Sequence, residues 1–180
     1  MRALSLLSLL SLGLAILALP TRAAPREVID TRVRAALETF VDEVAGAEEF
    51  LAAAHGALVF PSVKKGALVV GGSYGEGALI VDDQIERYYS LAGASFGLQI
   101  GGQATQQILL FMTEQALQEF RASDGWDVGV EGDVTVIGRS AGTRITTKTT
   151  DKPILAFIFG GEGLLAGVDI TGNNISPIQR

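Results

Sequence analysis

The distribution of glycine divides this chain of 180 residues into two parts with different folding options. All 22 glycines except Gly13 and Gly46 lie between Gly56 and Gly172, among short runs rich in Val, Ile, Leu and Thr. Glycine at this density disfavours helices and separates strands with turns and bulges. A β-sheet is therefore predicted beyond Gly56, and the long helix must precede it.

Residues 26–54 have the pattern of an amphipathic helix. Apolar side chains that include Val33 and Phe40 recur at helical spacing, with acidic residues between them. Gly46 is the single glycine of this segment and predicts a kink or break. A second, short helix is predicted after Thr113, whose hydroxyl can cap the first turn.

The clearest strand is predicted over residues 126–137, where Trp126 and Val128 alternate with polar residues. Alternation of apolar and polar residues gives the strand one polar face, which indicates an antiparallel sheet. Residues 143–150 are the predicted hairpin partner, and 108–112 fit either a strand or the start of a helix. Other predicted strands are residues 67–72, 78–81, 86–91, 95–101, 154–159 and 164–170.

Together these elements predict one α+β domain over residues 24–180. A long N-terminal helix and a short second helix pack on a bent, glycine-rich antiparallel sheet that can partly close as a barrel. Asp82 and Asp83 are expected to form a hairpin turn.

The first 23 residues have the composition of a secretory signal peptide. Arg2 gives a positive start, residues 3–19 are apolar apart from three serines, and Pro20 ends the run. Small residues precede signal cleavage sites, so cleavage is predicted after Ala23, with Ala24 as the alternative. A retained membrane anchor is the competing interpretation, because the run approaches the ~20 residues that span a bilayer. Cleavage predicts a periplasmic or secreted protein.

The charge balance argues against nucleic acid as a partner. The chain has 14 basic and 20 acidic residues, and its net charge of −6 becomes about −8 when the signal and its two arginines are removed. Such a protein repels phosphates unless it has a concentrated basic patch, and its longest basic run is Lys64-Lys65.

Few residues of the chain suit catalysis or metal binding. The absence of cysteine excludes disulfides, thiol chemistry and a lipid anchor on cysteine. The one histidine, His55, falls at the end of the first helical segment, where the helix dipole favours it; a catalytic role is the alternative. No EF-hand loop or HExxH pattern is present. We therefore expect no enzymatic activity, no metal and no cofactor.

Residues 71–77 (GGSYGEG) bring four glycines together, as phosphate-binding loops do. They lack the Lys-Ser/Thr pair of a P-loop and do not match G-x-G-x-x-G, and Glu76 would repel a phosphate. A sharply bent β segment is the simpler interpretation.

Six short motifs follow one another along the chain. They are residues 55–61 (HGALVFP), 65–66 (KG), 71–77 (GGSYGEG), 94–101 (ASFGLQIG), 126–133 (WDVGVEGD) and 163–170 (GLLAGVDI). In this order they resemble the SYLF domain family, and the resemblance runs from about Ala35 to Ile175. Several ordered motifs are more specific than any single glycine cluster.

The resemblance implies a lipid-binding module, described as actin-binding in some eukaryotic members. In eukaryotic relatives it implies binding to phosphoinositide membranes through a basic, amphipathic N-terminal helix. The predicted lipid-binding residues here are Arg26, Arg32 and Arg34 on that helix, with Lys64 and Lys65 at a turn. Acidic residues follow in the helix, so weak, salt-sensitive attraction to anionic lipid is expected.

The function predicted from the sequence is a non-enzymatic lipid- or membrane-binding domain of the periplasm or cell envelope. The alternative is a structural or protein-interaction module of the envelope, which would use a sheet edge or a helix face to bind protein.

Overall fold

The structure, a computed structural model, describes residues 24–67, 70–96, 103–128, 133–137, 152–160 and 172–180. The helices in these ranges are α1 (Arg26–Glu43), α2 (Ala47–Ala53) and α3 (Glu114–Ala122). The strands are β1 (Gly56–Ala67), β2 (Val70–Val81), β3 (Gln84–Phe96), β4 (Gln103–Phe111), β5 (Trp126–Asp127), β6 (Val134–Ile137), β7 (Ile154–Phe159) and β8 (Asn173–Ile178). None of the helices in these ranges is long and apolar enough to cross a membrane.

The described strands form one sheet in the order β5-β8-β3-β2-β1-β4-β7-β6. All neighbours are antiparallel except β6, which runs parallel to β7. The sheet is therefore mixed, and the prediction of an antiparallel sheet is wrong at this edge. A period-two pattern reports an extended backbone and carries no information on strand direction.

The sheet curls strongly around α3. The ring of Phe120 lies 4.9 Å from the rings of both Tyr89 on β3 and Phe111 on β4. These strands are three positions apart in the sheet, which is about 14 Å if the sheet is flat. Phe120 also meets Trp126 of the edge strand β5 at 5.6 Å. The result is a half-barrel, which confirms the predicted α+β fold with a bent, partly closed sheet.

Both faces of the sheet are buried, each by different helices. On the convex face, α1 and α2 bury a cluster in which the rings of Phe40 and Phe50 each lie about 5 Å from the ring of Phe157. On the concave face, α3 buries a second cluster with Phe120 at its centre. All six residues of β7 are buried, because the helices cover this strand on both faces. A strand buried in this way is apolar throughout, as β7 is.

The break predicted at Gly46 is confirmed. Gly46 has φ 79° and ψ 10°, the left-handed conformation that glycine adopts without strain, and α2 starts at the next residue. Thr113 caps α3 as predicted, since its Oγ1 accepts a hydrogen bond from the Ala116 N–H at 3.2 Å. Asp82 and Asp83 form the predicted hairpin turn, both with positive φ.

Two strand predictions need correction. Residues 126–137 are not one strand: β5 pairs with β8 and β6 pairs with β7, at opposite edges of the sheet. Alternation predicted the extended backbone of both pieces but not their separate partners. Residues 67–72 do not form their own strand, because Ala67 pairs with Gly71 across the β1–β2 hairpin. For residues 108–112, where the sequence left a strand or a helix start open, the strand is confirmed, since they lie largely in β4.

Residues 78–81, 86–91 and 154–159 lie in β2, β3 and β7 as predicted. The predicted strands 143–150 and 164–170, and most of 95–101, lie outside the described residues.

Candidate functional site

A pocket of about 190 Å³ lies between the start of α1 and the β1–β2 hairpin. We call it the Arg32 pocket. Its lining comes from three short segments, namely Ala24, Ile29 and Arg32; Pro61, Ser62 and Lys64; and Tyr74, Gly75 and Glu76.

A bulge in β1 shapes this pocket. The pairing register of β1 shifts before Val63, both toward β2 and toward β4. Pro61 falls in the shifted segment and has no N–H to donate to a neighbouring strand. Gly75 lies opposite, where a Cβ would stand 2.9 Å from Val63 Cγ2 and 3.0 Å from Ser62 O. Glycine at position 75 therefore lets the two strands approach each other beneath the pocket.

The carboxylate of the Arg32 pocket is already neutralised. Arg180 donates to Glu76 Oε1 at 2.6 Å, and the two side chains are only 15% and 12% exposed. Tyr74 also donates to Glu76 Oε1, at 2.8 Å. Desolvation, followed by this hydrogen bond, raises the pKa of Tyr74 above its ordinary value, so Tyr74 stays a neutral donor.

The two cations of the pocket, Arg32 and Lys64, are exposed. Neither has an ion-pair or side-chain hydrogen-bond partner among the described residues. Tyr74 beside them exposes 47% of its surface, which is unusual for a large aromatic side chain. The pocket thus combines two available positive charges with an exposed ring and apolar walls.

Arg26 lies on the other flank of α1, away from the Arg32 pocket. Its Nε donates to Tyr88 Oη at 2.9 Å, and Tyr88 Oη donates to Asp30 Oδ1 at 2.6 Å. Burial, followed by the hydrogen bond to Asp30, raises the pKa of Tyr88. Arg26 also lines a second cleft, of about 680 Å³, together with Arg87 and Arg180.

The five predicted lipid-binding residues therefore do not share one site. Arg32 and Lys64 are brought together, whereas Arg26 lines the cleft on the opposite flank of α1. Arg34 is exposed on α1 and lies about 200° around the helix from Arg32. Lys65 lies in β1, where its backbone pairs with Ser73 of β2.

Sequence reasoning missed Glu76 as a binding partner of Arg180. The two residues are 104 positions apart and meet only because β8 pairs with β3, next to β2. In the sequence, Glu76 stands out only as a group that would repel a phosphate. No local pattern in the sequence reports a pairing between strands so distant along the chain.

A third pocket, of about 600 Å³, surrounds His55 at the other end of the β1–β2 hairpin. His55 follows α2, as predicted, and its backbone N–H donates to the carbonyl of Phe111 at 2.8 Å. Its Nδ1 lies 3.3 Å from Glu114 Oε2, and both side chains are about half exposed. Among the described residues, no three His, Asp or Glu side chains are placed to hold a metal ion.

Residues 92–180, about half of the chain, match the model of the Ysc84 family, which is described as a Las17-binding protein actin regulator. The matched segment includes β4 to β8 and α3, and it begins after the residues of the Arg32 pocket. No curated protein matches the chain. Family match and ordered motifs agree, and the chain belongs to the Ysc84 family of SYLF-domain proteins.

Proposed function

We propose that this protein is a non-enzymatic lipid- or membrane-binding domain that is exported to the periplasm or cell envelope. The Ysc84 family suggests lipid or actin-related binding. The observation that supports lipid is the Arg32 pocket, where Arg32 and Lys64 have no described partner and stand beside the exposed ring of Tyr74.

The chemistry of the pocket suits an anionic lipid headgroup at a membrane surface. Arg32 and Lys64 can donate several hydrogen bonds to a phosphate. Tyr74 has an amphipathic ring, and such rings are enriched at the interface between membrane and water. A volume of about 190 Å³ is smaller than the ~300–1,000 Å³ of typical small-molecule pockets. It accommodates a phosphate-sized group, and the acyl chains of the lipid remain in the bilayer.

The overall charge limits the strength of this contact. With a net charge of about −8 after signal removal, the protein is repelled by an anionic surface except where its cations face it. Each Lys or Arg near such a surface contributes ~1 kcal/mol, and salt screens the attraction. We therefore expect weak, salt-sensitive binding.

Vesicle flotation tests this proposal. Protein that starts at Ala24 should float with phosphatidylglycerol-containing vesicles at low salt, and the floated fraction should fall as salt rises. Pure phosphatidylcholine vesicles provide the control and should float little protein. Equal binding to both, insensitive to salt, would show that the cations of the Arg32 pocket do not carry the affinity.

A second candidate function is a protein-interaction module, favoured by the family description, which names a protein that relatives bind. Organic extraction and mass spectrometry of the purified protein separate the two candidates. Recovered phospholipid supports the lipid-binding function, whereas lipid-free protein that also fails to float on anionic vesicles supports the protein-interaction module.

A further inference from the structure

The start of the described chain is held by the same carboxylate that binds Arg180. The backbone N–H of Ala24 donates to Glu76 Oε2 at 3.2 Å, while Arg180 and Tyr74 donate to Oε1. Glu76 is only 12% exposed, so its two oxygens are occupied by specific partners and little water. Ala24 is also the residue that follows the predicted signal cleavage site.

We propose that Glu76 is the receptor for the new N-terminus that signal cleavage after Ala23 creates. The inference rests on the export proposed above. A signal peptidase adds water across the Ala23–Ala24 peptide bond: Ala23 keeps the carboxylate and Ala24 leaves as an amine, which takes up a proton. The neutral hydrogen bond from the Ala24 amide then becomes a charge-assisted ion pair with Oε2 of Glu76.

The position of Ala24 is fixed by its neighbours. The carbonyl of Pro25 accepts hydrogen bonds from the N–H groups of Val28 and Ile29, which ties this end to the first turn of α1. The side chain of Ala24 packs against the convex-face cluster. The amino group therefore stays beside Glu76 at little further cost in conformational entropy.

The charges around this amine act in both directions. Arg32 and Lys64 line the pocket, Arg180 binds Glu76, and all three oppose a further positive charge. Glu76 is nevertheless in direct hydrogen-bond contact, and charge-assisted hydrogen bonds are roughly twice as strong as neutral ones. The geometry also distinguishes the two predicted cleavage sites, because a cut after Ala24 would remove the contacting nitrogen.

The consequence is a domain that gains stability when it is processed. In the precursor, residue 24 offers Glu76 an uncharged amide; in the mature protein, it offers an ammonium group. The processed domain should therefore be more stable than the same domain with its leader attached.

A pair of purified proteins tests the ion pair itself. One begins at Ala24, and the other carries one additional residue, Ala23, which keeps the amide at Ala24 and moves the charge outward. In urea unfolding at pH 7, the extra residue should lower the folding equilibrium constant by roughly fivefold. In the Glu76→Gln background, the same extension should have no effect. An equal cost in both backgrounds, or none in either, would overturn the proposal.

The pH dependence gives a second readout that needs no variant at Glu76. The ion pair raises the pKa of the Ala24 amine above the ordinary value of about 7.7–8.0. Its stabilisation is present in full below that value and is lost as pH rises through the higher, folded-state pKa. The advantage of the Ala24-start protein should thus disappear between about pH 8 and 10; an advantage unchanged over this range contradicts the ion pair.

The mass of the protein recovered from the periplasm separates this inference from the proposed function. A mass that matches a chain beginning at Ala24 supports cleavage after Ala23. A mass that matches any other first residue excludes the ion pair in the cell. Vesicle flotation is independent of both results, so lipid binding can fail while the ion pair is confirmed.

Discussion

The Arg32 pocket and the His55 pocket lie along the same β1–β2 hairpin, yet their charges are used differently. In the His55 pocket, His55 contacts Glu114 and Arg121 forms an ion pair with Glu86. These four side chains pair with one another. The remaining charged residues of the lining, Asp82 and Asp83, are acidic, so this pocket does not suit an anionic ligand.

In the Arg32 pocket, the buried carboxylate has a cation as its partner, whereas the two exposed cations have no described anionic partner. Glu76 is bound by Arg180, while Arg32 and Lys64 have no described partner. A buried ion pair holds the pocket together, and the surplus positive charge remains available. The two pockets therefore differ in which charges remain: the proposed lipid-binding surface retains cations, whereas the His55 pocket retains carboxylates.

The two arginine pairs test this contrast most strongly. In the protein that begins at Ala23, which offers Glu76 no ammonium group, replacing Arg180 by Gln leaves the mostly buried carboxylate without a cation. The free energy of unfolding should then fall by about 2–3 kcal/mol. Arg121→Gln breaks a more exposed pair with Glu86, at 26% and 38% exposure, and should cost less than about 1 kcal/mol. Urea unfolding of both variants at pH 7 measures the difference, and equal losses would remove the distinction.

The second prediction concerns the unpaired cations. A double variant, Arg32→Gln with Lys64→Gln, should bind anionic vesicles about tenfold more weakly at low salt, because two contacts of ~1 kcal/mol are largely lost. Arg34→Gln is the matched control on the same helix and should reduce binding by less than about twofold. If the Arg34 variant binds as weakly as the double variant, the whole basic end of α1 contacts the membrane, and the pocket is not the site.

Much of the fold could be predicted from local pattern. The helix break came from the one glycine in an amphipathic segment, the α3 start from the Thr113 cap, and the turn from Asp82-Asp83. These features depend on neighbours within a few residues. The parallel edge at β6 and the separation of β5 from β6 depend on partners far along the chain, which alternation does not report.

The candidate site was harder to predict for the same reason. Arg32 and Lys64 could be chosen by charge, but the sequence grouped them with Arg26, which the fold turns toward Tyr88. Glu76 could be identified only as an acidic residue among glycines. Its partners come from both ends of the described chain and meet it through sheet topology and the docking of α1.

Arg26 lies on the same helix as Arg32, but its side chain has a hydrogen-bond partner. The third prediction tests that contact. Tyr88→Phe removes both hydrogen bonds of the Arg26–Tyr88–Asp30 chain and should lower the free energy of unfolding by about 1 kcal/mol at pH 7. Because burial raises the pKa of Tyr88, the stabilisation by the neutral phenol is complete below its ordinary value of about 10.

That stabilisation is lost as pH rises through the higher, folded-state pKa of Tyr88. Urea unfolding from pH 8 to 11 should therefore show the two stability curves converging above about pH 10. Tyr74 and Tyr89 titrate in both proteins and cancel in the comparison. Curves that stay parallel would show that Tyr88 contributes by packing alone.

Replacing His55 should have little effect on stability. Its contact with Glu114 joins side chains that are 46% and 59% exposed, where solvent weakens any ion pair. His55→Gln should change the free energy of unfolding by less than about 0.5 kcal/mol, since the backbone N–H that donates to Phe111 is retained. Vesicle binding should also be unchanged, because His55 and the Arg32 pocket share no lining residue. Glu114→Gln removes the other partner and should likewise leave vesicle binding unchanged. Its effect on stability includes a second contact, because Glu114 Oε1 also accepts a hydrogen bond from Gln118 Nε2 at 2.6 Å. A loss of vesicle binding in the His55 variant alone would make the His55 pocket a functional site, and the contrast between the two pockets would then fail.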